Sequence, residues 1–212
     1  MNNPTTYTRS ILALLALLLA AACSQPKEQT LPSGAKVLAL GDSLTAAHGV
    51  APGEAWPALL AAQTGWIVIN GGVSGDTTAG ALERLPTLLE EYSPALVLVT
   101  LGGNDMLRRL PQGQTVTNLD RILALIKARG AKAVLLATPK PSIAGAVFNN
   151  LAPAEFYRPL AKDHHIPLIE DALADVLSDP RLKGDQLHPN AAGHALLSKN
   201  ILEALRKIGY AE

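Results

Sequence analysis

Cysteine occurs once in the 212 residues, at Cys23. A domain lying beyond that position can form no internal disulfide and has no thiolate for catalysis or metal binding. Surplus charge is missing too, since 18 Lys and Arg face 18 Asp and Glu. A neutral chain is a poor match for a polyanion, so nucleic acid is not an expected partner. The apolar run at 11–22 is much shorter than the ~20 residues of a membrane-spanning helix. Three catalytic or cofactor signatures are also absent. No G-x-S-x-G surrounds Ser43, the first loop lacks the G-x-G-x-x-G that lets backbone approach a pyrophosphate, and no H-E-x-x-H offers a zinc site. No cofactor and no metal are expected.

What is present begins with an address. Arg9 precedes the apolar run, which ends in alanines before Cys23, the pattern of an export signal over 1–22. Cys23 directly after Ala21 and Ala22 is similar to a bacterial lipoprotein cleavage box, although Ala20 stands where leucine is usual. The expectation is lipidation at Cys23 and a membrane-anchored protein facing the periplasm. Ala20-Ala21-Ala22 also satisfies the small-x-small rule for ordinary cleavage, which would release a soluble periplasmic or secreted protein. The stretch 23–35 is polar with two prolines and a glycine, a composition that reads as a tether. Residues 36–212 are enough for one domain.

Within that domain, four short apolar runs at 36–40 (KVLAL), 66–69 (WIVI), 95–101 (ALVLVTL) and 133–137 (AVLLA) read as strands buried on both faces. A fifth, 166–169 (IPLI), is weakened by Pro167, which cannot donate to a ladder. Helical spacing occupies 56–63, 78–91, 116–129 and 191–208. Pro86 predicts a kink or a break in the second of these. The alternation predicts an α/β fold, a three-layer sandwich around a mostly parallel sheet of about five strands. In such sheets ligands bind beyond the carboxyl ends of the strands. The loops that follow the first three runs, and the one before the last helix, hold the polar and glycine-rich residues.

Hydrolysis of an ester by a serine needs a nucleophile, an imidazole to take its proton, a carboxylate to orient the imidazole and donors for the oxyanion. Ser43 sits in a strand-to-helix turn, where its hydroxyl can be exposed and its amide can point into the site. Asp185 and His188 lie three apart on a loop, close enough for both side chains to reach one point.

The blocks GDSLTAAHG (41–49), NGGVSGDTT (70–78), LGGND (101–105) and DQLHPNAAGH (185–194) carry a resemblance to the GDSL, or SGNH, serine hydrolases. The bacterial thioesterase, arylesterase and lysophospholipase branch is the most similar. The resemblance implies a flavodoxin-like fold, with Ser43 as nucleophile and Asp185 and His188 completing a triad. It implies an oxyanion hole made by the amides of Ser43 and Gly75 and the side chain of Asn104. Carboxylic esters are the implied substrates: aryl esters, short- to medium-chain acyl esters, lysophospholipids or thioesters. A carbohydrate O-deacetylase and a non-catalytic ligand-binding lipoprotein on the same fold are the alternatives.

The remaining polar residues read as structure. His48, His164, His165 and His194 are expected at the surface or in helix contacts, and Asp42 as a hydrogen-bonding residue of the first loop. Asp76 and Asp105 are expected to cap turns and helix starts. Arg108 and Arg109 either line a substrate entrance or are solvated. Ile143, Val147 and Phe148 could form an apolar wall for an acyl or aryl group.

Overall fold

The computed structural model describes residues 28–142, 145 and 150–212. The export signal, Cys23, and the wall of Ile143, Val147 and Phe148 lie outside the described residues. Five parallel strands form one sheet in the order β2-β1-β3-β4-β5. They are β1 (Lys36–Gly41), β2 (Ile67–Gly72), β3 (Leu96–Thr100), β4 (Lys132–Leu136) and β5 (Leu168–Ile169). Parallel strands need helical crossovers, and these cover both faces.

Side-chain alternation divides the apolar residues between two cores. Leu38, Leu40, Val97, Val99 and Leu135 face α2 (Thr78–Tyr92), α4 (Gln112–Ala128) and α5 (Tyr157–His164). Val37, Ala39, Leu96, Leu98 and Val134 face α1 (Trp56–Thr64), α6 (Ala172–Ser178) and α7 (Ala191–Ile208). A short α3 (Gly103–Leu107) leaves the end of β3. Among the described residues no helix is long and apolar enough to cross a membrane.

Three sequence expectations need correction. β2 is not buried on both faces: it is an edge strand paired only with β1, and Ile67 is 54% exposed. Pro86 neither splits nor ends α2, which runs unbroken through it. Ala81 and Leu85 before the proline and Leu89 after it are buried in one core, so packing holds the helix together across the lost backbone bond. The described part of the supposed tether, 28–35, is docked. The Glu28 amide donates to the Ile208 carbonyl and the Leu31 amide to that of Tyr210, at 3.1 and 2.9 Å, and Leu31 packs on the second core.

Sequence order places the site. After β1 the chain turns outward to β2, then crosses to β3 on the other side of β1. The loops leaving β1 and β3 therefore diverge in opposite directions, and the crevice between them opens at the carboxyl ends of the strands.

Candidate active site

The loop after β1 is shaped by Asp42, which is 2% exposed. Its Oδ1 accepts the Leu44 amide at 3.0 Å, and its backbone carbonyl accepts the amides of Thr45 and Ala46. This Asx-type turn holds Ser43 at the bend. Packing leaves the turn little room to move. A Cβ on Gly72 of β2 would come within 2.3 Å of the Ala46 nitrogen, so the neighbouring strand can approach only as glycine. Burial pushes the Asp42 carboxyl up to about 6, against the opposing effects of the Leu44 amide, His188 and Asn104.

Ser43, His188 and Asp185 come together across 145 residues of sequence. His188 Nε2 lies 2.9 Å from Ser43 Oγ. His188 Nδ1 lies 2.8 and 3.0 Å from the two oxygens of Asp185. Asp185 Oδ1 also accepts the amides of Leu187 and His188, at 2.7 and 2.8 Å. Desolvation opposes the charge on Asp185, but the Leu187 amide, the His188 imidazole and the His188 amide prevail and hold its carboxyl at about 2. An ionised Asp185 accepts the Nδ1 proton and so leaves the Nε2 lone pair toward Ser43. The loop carrying the pair is closed by an antiparallel bridge between Lys183 and Pro189, and Asn190 then caps α7 by accepting the Gly193 amide.

The residues expected to form the oxyanion hole flank this point. Asn104, at the start of α3, donates from Nδ2 to Asp42 Oδ2 at 3.1 Å. One hydrogen of that amide is thereby fixed and the other remains to serve a ligand. Gly75 has φ +79, a conformation that other residues adopt at a cost. Its carbonyl accepts from Arg108 Nη2 at 2.6 Å. Neither the Gly75 nor the Ser43 amide has an acceptor among the described residues.

Several residues that hold this arrangement escaped the sequence reading. Arg84 on α2 donates to Asp76, to the Gly71 carbonyl and to the Gly41 carbonyl, at 2.8, 2.7 and 3.0 Å. It thus ties the ends of β1 and β2 to the loop that carries Gly75. Asp105 caps α2 as expected, accepting the Thr78 amide at 2.9 Å, and its Oδ1 also accepts from the hydroxyls of Thr78 and Thr115. Tyr157, buried, donates its hydroxyl to the Leu101 carbonyl at 2.7 Å. The only sequence signals for these roles were a cation downstream of the SGDT block and polar residues at core-facing helix positions.

The other histidines divide. His194 is fully buried, and its Nδ1 accepts the first amide of α1, from Trp56, at 3.3 Å. Burial, with the charge of His188 adding to it, lowers its pKa. His164 lies against Asp120 at 2.8 Å, and His165 ends α5 with φ +55. His48 is exposed, as expected, but its ring lies 4.3 Å from that of His188, tilted by 42°. Arg109 is solvated, whereas Arg108 grips the Gly75 loop as described.

Large apolar side chains are exposed on the segments that follow β2 and β3 and beside the triad pair. Val73 follows β2, Leu107 and Leu110 follow β3, and Leu187 stands between Asp185 and His188.

The model of the GDSL-like lipase/acylhydrolase family matches residues 39–196. The chain is 34% identical to an arylesterase of Vibrio mimicus over 203 residues, covering 93% of this chain and 98% of that protein. It is 40% identical to the Escherichia coli (strain K12) protein named thioesterase 1/protease 1/lysophospholipase L1 over 157 residues, 73% of this chain and 75% of the other. The crystal structure of the psychrotrophic esterase EstA from a Pseudoalteromonas species, inhibited by monoethylphosphonate, superposes with a TM-score of 0.72. The sequence identity there is 32%, covering 81% of this chain and 97% of that one.

Proposed function

The chain belongs to the GDSL-like lipase/acylhydrolase family and is a carboxylic ester hydrolase, and on that premise we propose that Ser43 is its nucleophile, His188 its base and Asp185 the residue that orients the base. The observation that carries this is the 2.9 Å contact of His188 Nε2 with Ser43 Oγ, continued by the 2.8 Å contact of Nδ1 with Asp185.

In the reaction, His188 Nε2 takes the Ser43 proton as Oγ attacks the ester carbonyl carbon. The carbonyl oxygen gains negative charge and is met by the Ser43 and Gly75 amides and by Asn104 Nδ2. Collapse of the tetrahedral species expels the alcohol, which receives its proton from His188 and leaves an acyl group on Ser43. A water then repeats the sequence, giving up its proton to His188 and releasing the carboxylic acid.

Apolar acyl or aryl esters are the substrate class this reading favours. Among the described residues, four of the five exposed large apolar side chains, Val73, Leu107, Leu110 and Leu187, stand on the segments that follow β2 and β3 or between Asp185 and His188. A sugar would instead need a wall of polar partners.

The test is pre-steady-state hydrolysis of a nitrophenyl ester series with substrate in excess, with a lysophospholipid and an acetylated sugar included. A burst of chromophore equal to the enzyme present is expected, rising from acetate toward longer acyl chains. Ser43→Ala should lose at least ~10³-fold in kcat. Turnover near the wild-type rate in folded Ser43→Ala rejects the assignment.

The amino terminus supports export and lipidation at Cys23, through the apolar run at 11–22 and the alanines before the cysteine. More than one acyl chain on Cys23 would make the anchor stable. Cys23→Ser should move the enzyme from the membrane to the soluble fraction of expressing cells. A wild-type enzyme found wholly soluble, with an unmodified mature amino terminus, removes the anchor and leaves the esterase reading standing.

A further inference from the structure

His48, Asp185 and His188 each place one potential ligand atom within 4.8 Å of the other two. They come from two loops, the turn after β1 and the loop before α7, so no sequence spacing announces the group. Two imidazoles and a carboxylate are the donor set that borderline divalent cations such as Zn²⁺ favour, with water completing a tetrahedron. We propose that these three residues form an inhibitory site for a zinc-class cation. This is not a cofactor site: the occupied site stops the reaction.

The geometry favours such a site in three ways. Asp185 and His188 are already 2.8 Å apart, shorter than the ~3.3 Å between neighbouring ligands in a tetrahedron with ~2.0–2.1 Å bonds. His48 is the member that must approach. Its ring is exposed, already 4.3 Å from that of His188 by centroids, and no hydrogen bond fixes its imidazole among the described residues. The Asp185 carboxylate, 2.8 Å from His188 Nδ1, offers the negative charge that a divalent cation requires.

Inhibition follows from the lone pair the cation takes, that of His188 Nδ1, which faces Asp185. There it displaces the Nδ1 proton to solvent and breaks the contact with Asp185 that orients the ring. The imidazole then cannot cycle its proton. No electron transfer is involved, and removal of the cation by a chelator restores the resting triad.

The loss of activity rests on the reading of His188 as the base, whereas binding does not. The two are therefore measured separately, on the full mature chain without a polyhistidine tag. Zinc chloride is titrated calorimetrically into Ser43→Ala, and into Ser43→Ala combined with His48→Phe, which keeps a ring against His188 but has no nitrogen. One zinc per chain is expected, with affinity at least ~10-fold weaker when His48 is replaced, since one of three protein ligands is lost. Replacing both His164 and His165 by Gln should leave the affinity unchanged. In esterase assays, each protein compared with its own zinc-free rate, saturating zinc should lower the wild-type rate at least ~10-fold. Ethylenediaminetetraacetate should restore it, and His48→Phe should shift the inhibition curve to higher zinc by the factor found in the titration. Absence of stoichiometric binding, or equal affinity with and without His48, overturns the site. Binding that depends on His48 but leaves esterase activity intact overturns the inhibition. A protein that binds zinc in this way but has no esterase activity rejects the proposed function instead.

Discussion

Asp42 carries a buried charge beside the proposed nucleophile, and the folded chain bears its cost. Its carboxyl is pushed from 3.8 up to about 6 because burial outweighs the donors from Leu44 and Asn104. Between those values the folded state binds a proton that the unfolded state does not. The stability owed to Asp42 therefore rises as pH falls through that window, and the full penalty, on the order of 2–3 kcal/mol, stands above it. Asp185 has the opposite sign. Its carboxyl is depressed to about 2, so its contribution is present above the ordinary carboxylate pKa and lost as pH falls toward 2. That contribution is small, because the side chain is 51% exposed and screened by water. Asp42→Asn should remove the component between about pH 4 and 6. Urea midpoints at pH 5 and pH 7.5 should differ less in the variant, by about 1.4 kcal/mol of unfolding free energy. The substitution also places an amide opposite Asn104 Nδ2 and turns that donor away from the oxyanion. A fall in kcat of ~10-fold or more is expected, below the ~10²–10³ seen when such a donor is removed outright. Wild type and variant with the same pH dependence of stability would show that Asp42 is not the titrating group.

Elements hold these residues in register. Asp105 at the start of α3 accepts from both the amide and the hydroxyl of Thr78 at the start of α2, and Asn118 of α4 donates to that same hydroxyl at 3.1 Å. The loops that carry Gly75 and Asn104 are thus locked to each other through the helices that follow them. Local pattern is enough to read a good deal of this framework. The last helix was legible to its ends because its apolar spacing is long and Asn190 and Gly209 bound it. α3, α5 and α6 were not legible, being five to eight residues long, and α5 holds Pro159 in its first turn, where a missing amide is harmless. β2 misled because a strand's apolar residues do not say whether a second neighbour exists to cover them. The same limit governs the site. Ser43, Asp185, His188, Gly75 and Asn104 stand in blocks whose order along the chain matches the strand ends. The contacts of Arg84 with Gly41, of Arg108 with Gly75 and of His48 with His188 join segments whose meeting depends on the crossovers. No spacing in the chain encodes them.

At the scale of the whole molecule, the two ends of the sheet have different neighbours. The proposed catalytic residues lie at the carboxyl ends of the strands. Glu28, where the described chain begins, lies at the other end: its carboxylate pairs with Lys132, the first residue of β4, at 3.2 Å, and its amide bonds to Ile208 at the end of α7. The six residues of β1 separate those ends by about 17–20 Å, before the loops are added. Five peptide steps lead from Cys23 to Glu28, a reach of at most ~18 Å. If Cys23 is anchored as proposed, the short reach holds the amino ends of the strands toward the bilayer and directs the triad into the aqueous space. Such an enzyme meets dissolved esters more readily than lipids of its own membrane. In vesicles bearing the lipidated protein, a soluble nitrophenyl ester should therefore be hydrolysed as fast as by the Cys23→Ser enzyme. An ester lipid confined to the same vesicle should be a poor substrate, and a flexible insertion of ~15 glycine and serine residues between Cys23 and Glu28 should accelerate its hydrolysis several-fold, because a longer tether lets the domain turn over. Equal rates on the membrane-resident lipid with the short and the lengthened tether would mean that the docked segment 28–35 does not set the orientation of the site.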